Sequence, residues 1–334
     1  MSLIQVVPHD PVSSEGVGSY ALALGAALAR NGESASRYLA AAALPAQSAR
    51  ALAAALAGES TVLLHYANYG YQRRGCPAWL IDGLGRWKGE DTGRRLVTVF
   101  HEVHASGPPW RSSYWLRPRQ RQLAARLLRL TDATVTSLER YAGVLRGWRA
   151  EPAIVVSPVF STVGEPEAVP PLADRPRRLL VFGGPGARGR AWGELRNELL
   201  ATCRALELEE VWDVGAPAGA PARLDGLRVR ELGVLPAGET SARLLEGFAG
   251  FLAYPSSFLG KSTTFAAYCA HGLLPVCAWR EVRSLHTAKD TPPHWGTRGP
   301  APADPQLLAT AAQAWYAEHS LARQVETFGE LLKG

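Results

Sequence analysis

Residues 157–184 read SPVFSTVGEPEAVPPLADRP followed by RRLLVFGG, and this stretch decides how the chain is divided. The first part, 157–176, is rich in proline and has neither helical nor strand periodicity, which is typical of an interdomain linker. The second part predicts a strand that ends in a glycine turn. With 334 residues, the chain is long enough for two domains of about 150 residues each. We predict an N-terminal domain over 1–160, a linker over 161–176 and a C-terminal domain over 177–334, whose last helix packs back on the N-terminal domain.

On both sides of this linker, short apolar runs alternate with helical patterns, which indicates parallel sheets covered by helices. The predicted fold class is α/β, with two Rossmann-like domains and a ligand cleft at the carboxyl ends of their strands. The predicted strands are 3–7, 61–66, 95–101, 133–136, 154–156, 177–184, 209–214, 227–231, 250–254 and 274–278. The clearest predicted helices are 17–30, 46–57, 117–130, 305–316 and 321–332.

The composition and net charge indicate the class of protein and the kind of partner to expect. Hydrophobic residues make up 47% and charged residues 20% of the chain, which is typical of a globular protein. No apolar run reaches the length of a spanning helix and the N-terminus lacks a signal pattern, so we expect a cytoplasmic location. The formal charge of +6 favours anionic partners such as nucleotides, nucleic acid or acidic lipids.

Glycines and cations after predicted strands indicate anion binding at two places in the chain. Gly16 and Gly18 stand directly before an Ala/Leu-rich helix, whose free N–H groups would suit a phosphate or a sugar oxygen. A helix start that needs a tight turn is the alternative. In the second half, Arg188 and Arg190 follow the glycines of residues 177–184 and are available to a diphosphate, unless they belong to a solvated basic loop.

A further cluster of donors opens the predicted helix after residue 260. The sequence GKSTT places the Lys261 ammonium beside the hydroxyls of Ser262 and Thr263, which is suited to clasping a phosphate. The first glycine of a Walker A loop and its spacing are absent, so ATP hydrolysis gains no support.

The stretch VTVFHEVHASGPPW, residues 97–110, runs a strand into His101, Glu102 and His104. The two histidines are three positions apart after a strand, whereas zinc-binding HEXXH places them four apart on a helix, so we predict no metal there. A histidine at a strand end can instead donate to a sugar hydroxyl or a leaving group, with the adjacent carboxylate fixing its tautomer. A structural histidine is the alternative interpretation.

Two more stretches carry candidate contacts. Tyr66, Asn68 and Tyr69 follow the strand 61–66 and are suited to stacking on an acceptor and bonding its hydroxyls, although core packing of the tyrosines is an equal alternative. The arginine-rich stretch 117–129 is predicted to be a basic amphipathic helix with a plain solvated face, and peripheral contact with an anionic membrane surface is the alternative.

Taken in chain order, these residues resemble the family-4 glycosyltransferases of the GT-B fold, and more loosely the bacterial glycosyltransferases of cell-surface polysaccharides and natural products. The carriers of the resemblance are the Gly16–Gly18 loop, VTVFHE, TDATVTS at 131–137 and the block 254–276. The resemblance implies transfer of a sugar from a nucleotide-sugar donor to a hydroxyl acceptor, a glycan, lipid-linked or small-molecule compound. It also implies retention at the anomeric carbon, no cofactor and no essential metal.

The resemblance assigns roles to particular residues. Gly16 and Gly18 are placed near the donor phosphates, His101 or His104 near the transferred sugar, and Arg188 with Lys261 on the diphosphate, with Ser262 and Thr263 adding donors. The family carries two glutamates eight positions apart, where this chain has Leu259 and Ala267.

Two other functions follow from different features. The missing glutamates favour a non-catalytic sugar- or nucleotide-binding protein with the same fold. Nucleic-acid binding rests on charge and on residues 117–129 alone, with no binding motif, so we predict that nucleic acid is not a partner.

Overall fold

The computed structural model describes residues 3–12, 16–32, 35–105, 109–149, 153–279 and 291–333. The chain forms two compact units. Unit 1 comprises Met1–Pro158 together with Leu321–Gly334, and unit 2 comprises Val159–Ser320. The C-terminal helix Leu321–Lys333 therefore belongs to unit 1, and the proline-rich segment after Pro158 belongs to unit 2.

Unit 1 is built on a six-stranded, wholly parallel sheet with the order β2-β1-β3-β4-β5-β6. Its strands are β1 Leu3–Val7, β2 Ser36–Ala40, β3 Thr61–Tyr66, β4 Arg95–Phe100, β5 Ala133–Thr136 and β6 Ile154–Val156. Its helices before the C-terminal one are α1 Gly16–Arg30, α2 Ala49–Leu56, α3 Asn68–Tyr71, α4 Ala78–Gly89, α5 Ser112–Leu130 and α6 Glu139–Arg146. Strands β1 and β3 are buried along their whole length because helices cover both faces of the sheet.

Unit 2 has a seven-stranded sheet with the order β13-β12-β11-β7-β8-β10-β9, in which only β9 runs antiparallel. Its strands are β7 Arg178–Phe182, β8 Glu210–Val214, β9 Arg223–Leu224, β10 Leu227–Gly233, β11 Ala249–Ala253, β12 Leu274–Ala278 and β13 Trp295–Gly296. Its helices are α7 Pro185–Trp192, α8 Arg196–Ala205, α9 Ala237–Leu245, α10 Thr263–Ala270 and α11 Pro305–Ala317, after which Leu321–Lys333 is α12.

The strand orders identify where each sheet reverses direction. In unit 2 the parallel strands follow the Rossmann order 3-2-1-4-5-6, so the reversal lies between β7 and β11. In unit 1 the order 2-1-3-4-5-6 places it between β1 and β3. The predicted α/β class with two Rossmann-like domains is confirmed. These reversal points are where open parallel sheets bind ligands, outside the carboxyl ends of the strands.

Several predicted elements differ from the observed ones for identifiable reasons. Strand β2 has a half-buried, mixed sequence, SRYLA, with no clear alternation, and it was not predicted. Helix α5 begins at Ser112, five residues before the predicted start, and continues through Pro118. Proline favours the first turn of a helix, which is why the sequence suggested the later start.

Candidate functional site

The reversal point of unit 1 is held open by a tyrosine. The ladder between β1 and β3 ends at the pair Val6–Leu64, and beyond it the Tyr71 hydroxyl lies 3.0 Å from both the Val6 and the His65 carbonyl oxygens. Tyr71 is buried, and its single hydroxyl proton can be donated to either of these carbonyl oxygens where the strands diverge. The carboxyl ends of β1 and β3 therefore separate at a fixed point.

A chain of polar side chains crosses this point. The Gln5 amide nitrogen donates to Ser36 Oγ at 2.9 Å, and Gln5 Oε1 lies 2.7 Å from His65 Nε2. His65 Nδ1 lies 3.2 Å from His101 Nε2. The two imidazole planes are nearly parallel, with 5.5 Å between ring centroids. Gln5 and His65 are fully buried, whereas His101 is half-buried.

The ring of Tyr20, on α1, meets both imidazoles edge-on, with centroids 5.8 Å from His65 and 5.2 Å from His101. Its hydroxyl donates to Gln324 Oε1 on α12. Burial, followed by the neighbouring His101, lowers the pKa of His65 well below its usual value, so this ring is neutral at pH 7. The structure thus joins His101 to two buried residues that the sequence analysis did not select.

Glu102 and His104 lie close to His101 in sequence but have different surroundings. The backbone amide of His101 donates to the Tyr66 carbonyl at 3.0 Å, which extends the pairing of β4 with β3 as far as His101. His104 is half-buried and its Nδ1 donates to the Ala105 carbonyl at 3.0 Å. Burial is the main cause that lowers the pKa of His104. Glu102 is half-buried and contributes, after burial, to the raised pKa of Tyr66.

Of the three predicted acceptor contacts, only Tyr69 reaches the surface. Tyr66 is fully buried against Phe100, with 5.4 Å between ring centroids. Asn68 is also buried, and its side chain bonds the backbone of Gly75 and Tyr69. Tyr69 is 38% exposed and its hydroxyl accepts from Gln120 at 3.1 Å. This geometry favours core packing for Tyr66 and Asn68.

Gly16 and Gly18 lie in the first turn of α1 rather than before it. Gly16 has open space where a side chain would begin, whereas a Cβ on Gly18 would lie 2.9 Å from the Pro11 backbone. Gly18 is therefore needed for the close approach of the segment after β1. Residues 13–15 of the predicted loop lie outside the described residues, and proximity of the two glycines to a phosphate stays a prediction.

The reversal point of unit 2 is also held open by a tyrosine. The ladder between β7 and β11 ends at Leu180–Gly250. The Tyr268 hydroxyl then accepts from Phe182 N at 3.0 Å and lies 3.2 Å from the carbonyl oxygens of Leu180 and Phe251. The ring fits there because residue 250 is glycine, whose Cβ would lie 2.5 Å from it.

The start of α10 lies at this same point. Gly183, at the end of β7, has φ of +121°, and a Cβ there would lie 2.6 Å from Thr264 Oγ1 in the first turn of α10. Ser262 caps the helix, since its Oγ accepts from Phe265 N at 3.2 Å. Thr263 and Lys261 are half-buried beside the cap. Lys261, Ser262 and Thr263 therefore lie at or directly before the N-terminus of α10, and their contact with a phosphate stays a prediction.

The two predicted arginines have different environments. Arg188 is 1% exposed and forms a two-point ion pair with Asp213, with nitrogen–oxygen distances of 3.3 and 3.1 Å, and it also donates to the Ala216 carbonyl. This placement favours a structural role over the predicted diphosphate contact. Arg190 is half-buried, its Nη2 donates to the Ala253 carbonyl at 3.3 Å, and its guanidinium lies 5.2 Å from the Trp279 ring centroid. It therefore lies at the carboxyl end of β11.

The positions of the two missing glutamates face the core. Leu259 and Ala267 are 1% and 0% exposed. A carboxylate at either position would have to be buried, which is costly without a partner. Unit 2 therefore carries apolar residues where the resembled family has acids.

Sequence reasoning missed four residues of these sites, namely Gln5, His65, Tyr71 and Tyr268. Gln5 and His65 had a detectable signal, because each is a polar residue inside an otherwise apolar buried strand, LIQVV and TVLLHY. Among the described residues, no group of three or more His, Cys, Asp or Glu is placed to hold a metal ion. Every helix in the described part of the chain is too short or too polar to cross a membrane.

No protein-family model and no curated protein matches the chain, but solved structures match it along its whole length. An alpha-glucosyltransferase in complex with UDP and a 13-mer DNA matches with a TM-score of 0.58 and 10% identity, over 100% of both chains. Spinosyn forosaminyltransferase SpnP matches with a TM-score of 0.55 and 14% identity, also over 100% of both. A UDP-N-acetylglucosamine 2-epimerase matches with a TM-score of 0.50 and 11% identity, over 85% of this chain and 80% of that one.

These similarities show the GT-B fold, which confirms the predicted architecture. Membership of glycosyltransferase family 4 stays a prediction. The prediction that nucleic acid is not a partner is wrong as a general exclusion, because structures matching the whole chain include an alpha-glucosyltransferase bound to DNA. That prediction depended on the absence of a recognised DNA-binding motif in this sequence, whereas the matching alpha-glucosyltransferase structures contain DNA.

Proposed function

We propose that the chain is a glycosyltransferase that moves a sugar from a nucleoside diphosphate sugar to a hydroxyl acceptor. The observation that carries the proposal is the start of α10 at the reversal point of a Rossmann sheet, directly after the half-buried Lys261, with Arg190 at the carboxyl end of the neighbouring strand β11. Helix N-termini and cations at such a point suit a diphosphate. The fold supports the proposal, since glycosyltransferases with UDP or UDP-glucose share it.

In this proposal the diphosphate lies against the start of α10. Lys261 and Arg190 neutralise the charge that grows on the departing diphosphate, and the hydroxyls and backbone amides around Ser262 and Thr263 donate to its oxygens. Gly183 allows the first turn of α10 to approach the end of β7, because a Cβ there would lie 2.6 Å from Thr264 Oγ1. No metal is required for this charge compensation, so we keep metal independence in the proposal.

The contribution of unit 1 is a half-buried histidine at a strand end. His101 is half-buried directly after β4, at the carboxyl edge of its sheet, and its ring contacts His65 and Tyr20. We propose that it contacts a hydroxyl of the reacting sugar or of the acceptor. The acceptor class includes glycans, small molecules and, given the alpha-glucosyltransferase structures, hydroxylated bases in DNA.

The test is donor turnover with separate acceptor classes. Purified protein is incubated with UDP-glucose and other nucleotide-sugars, with and without oligosaccharide, small-molecule or DNA acceptors, and the released nucleoside diphosphate is measured. The proposal predicts acceptor-dependent release that falls at least about a hundredfold in His101→Ala, as for loss of a positioned polar group. Lack of release with every combination would contradict it.

The epimerase of the same fold defines the competing activity. Nuclear magnetic resonance of the donor in the same reactions separates the two, because an epimerase changes the sugar without any acceptor. Conversion of the donor to a second sugar nucleotide without any acceptor would show that the activity is epimerisation and not transfer.

A further inference from the structure

The excess positive charge of the chain is concentrated in one segment of unit 1. Residues 103–131 contain six arginines and no Lys, Asp or Glu. The whole chain has 36 basic and 30 acidic residues, so basic and acidic residues are equal in number outside this segment. The formal charge of +6 is therefore the charge of the segment that contains α5. Such a segment attracts a polyanion.

Helix α5 carries this charge on its outward face. Leu123, Leu127 and Leu128 form its buried face. The exposed and half-buried positions on the other side recur every three or four residues, which places them in one stripe: Trp115, Arg119, Gln122, Arg126 and Arg129. The helix has 19 residues, so the stripe extends over most of a length of about 28 Å.

Two tryptophan rings lie near the start of this stripe. Trp110 is 84% exposed and Trp115 is 72% exposed. The Trp115 ring is held in place, because its Nε1 donates to the Pro109 carbonyl at 2.8 Å and the Tyr114 ring meets it edge-on, with 5.5 Å between centroids. Exposed apolar groups that are bordered by polar residues indicate a binding surface. Nucleobases stack on aromatic rings of this kind.

A second row of α5 extends towards the candidate site. The Arg117 guanidinium lies 4.9 Å from the Tyr114 ring centroid. Burial lowers the pKa of His104, and the charges of Arg121 and Arg117 lower it further. His104 lies three residues after His101, at the carboxyl edge of the sheet. The basic and aromatic surface therefore begins beside the edge where His101 lies.

The other end of the stripe leads into an open cavity of about 590 Å³. Its lining includes Arg86 on α4 together with Arg126 and Arg129 on α5. Asp82 is the only acidic residue in the lining, and it forms an ion pair with Arg126 at 2.6 Å. The net charge of the cavity is therefore positive, and the positive surface continues along the whole helix.

The side chains of this surface favour nucleic acid over a membrane. A helix that lies in a membrane interface turns an apolar face towards the lipid, whereas the apolar face of α5 is buried in the protein. The stripe instead presents arginine, glutamine and tryptophan. Guanidinium groups suit phosphates, and the aromatic rings suit unpaired bases.

We propose that the outward face of residues 110–129 binds a single-stranded segment of nucleic acid. Bases stack on Trp110 and Trp115, and the phosphates lie along the arginines of α5. Binding of the strand does not depend on the proposed function. Its use as the hydroxyl acceptor beside His101 rests on that function.

Fluorescence anisotropy with a labelled strand tests the proposal. The probe is a single DNA strand of mixed sequence and about 12 nucleotides, and the controls are the duplex of the same sequence and a range of salt concentrations. We expect tighter binding of the single strand, with a slope of log affinity against log salt of about −2 to −3, as for three or four neutralised phosphates. Absence of binding, or tighter binding of the duplex, would overturn the proposal.

Variants of exposed residues separate stacking from charge. Trp115→Ala is expected to weaken binding about tenfold without changing the salt slope, as for loss of one stacked base, whereas Trp115→Phe keeps a ring and most of the affinity. Arg119→Gln is expected to reduce the salt slope by about 0.7. Arg30→Gln removes an exposed charge at the end of α1 in the same unit and is the matched control. Equal effects of the two arginine variants would contradict a site on α5.

Sedimentation with phosphatidylglycerol vesicles tests the lipid alternative. Vesicle binding that is lost in Trp115→Ala, in protein that binds no oligonucleotide, would assign this surface to a membrane and overturn the proposal.

Failure of this inference and failure of the proposed function give different results. Sugar transfer to other acceptors by protein that does not bind the strand would contradict only the nucleic-acid surface. Strand binding by protein that releases no nucleoside diphosphate from any donor would contradict only the transferase.

Discussion

The reversal points of the two sheets share one construction and differ in their chemistry. In each, the ladder between the two diverging strands stops and a buried tyrosine hydroxyl binds the freed backbone groups, Tyr71 in unit 1 and Tyr268 in unit 2. Around Tyr71 lie an amide and two imidazoles. Around Tyr268 lie a positive-φ glycine, a helix N-terminus and cations.

The comparison shows that the buried tyrosine between the diverging strands is a feature of the fold. The chemistry of each reversal point comes from the residues around that tyrosine. Unit 1 places amide and imidazole side chains at its reversal point, where Gln5 and His65 project from the strands themselves. Unit 2 has cations and N–H donors at its edge, which suit an anion. We therefore expect substitutions in the two units to affect different measurable quantities.

The largest expected effect is on the free energy of unfolding and concerns Arg188, the buried cation of unit 2. Asp213→Ala leaves Arg188 buried without its ion partner, and breaking such a pair costs roughly 3–5 kcal/mol in the free energy of unfolding. Urea unfolding measures this loss. If Asp213→Ala instead leaves stability within about 1 kcal/mol of wild type and abolishes nucleotide binding, Arg188 belongs to the binding site after all.

The second expected effect is a dependence of the free energy of unfolding on pH, caused by two buried histidines of unit 2. Burial lowers the pKa of His271 and of His319, both in unit 2, to about 4. Below pH 6.5 the unfolded chain takes up protons that the folded protein does not, so the free energy of unfolding falls as pH falls from 6.5 towards 4. Each histidine lowers it by roughly 2 kcal/mol at pH 5 relative to pH 7.

Urea unfolding at the two pH values tests this effect, with His271→Asn as the comparison. The wild type is expected to lose more stability than the variant on going from pH 7 to pH 5. The Ser241 hydroxyl lies 2.7 Å from His271 Nε2, so the variant loses some stability at both pH values. An identical pH dependence in the two proteins would contradict a neutral, buried His271.

The smallest expected effect is on nucleotide affinity and concerns Lys261, the half-buried cation before α10. Lys261→Ala removes one charged donor from a half-buried position, and we expect about tenfold weaker binding of UDP by calorimetry, as for one partly solvated charged contact. Arg223→Ala, which removes an exposed charge on β9 of the same unit, is the matched control and should leave the affinity unchanged. Equal weakening in both variants would indicate a non-specific charge effect.

The fold was predictable because its central strands are buried on both faces. Five strands, β1, β3, β5, β6 and β12, begin and end at their predicted residues. All of these except the edge strand β6 lie inside their sheets and are buried along their whole length, and such largely apolar runs have few alternatives. The edge strands β2, β9 and β13 were missed because they are half-buried or two residues long.

The sites were less predictable, because side-chain direction depends on packing. Arg188 and Arg190 are two positions apart and look equivalent in sequence, yet one is directed into the core beneath β8 and the other lies near the end of β11. The hydrogen bond between His65 and His101 joins residues 36 positions apart, which no local pattern reveals. The sequence located the carboxyl edges of the sheets, whereas packing determines which of the predicted side chains reach those edges.

The most direct test of the account is thermal stabilisation of the wild-type protein by a panel of nucleoside diphosphates and nucleotide-sugars. A ligand that binds only the folded state raises the melting temperature in proportion to the logarithm of its concentration above Kd. The account predicts such a rise with at least one nucleoside diphosphate and a smaller one in Lys261→Ala. No rise with any member of the panel, in protein that unfolds cooperatively, would contradict a nucleotide-sugar site in unit 2.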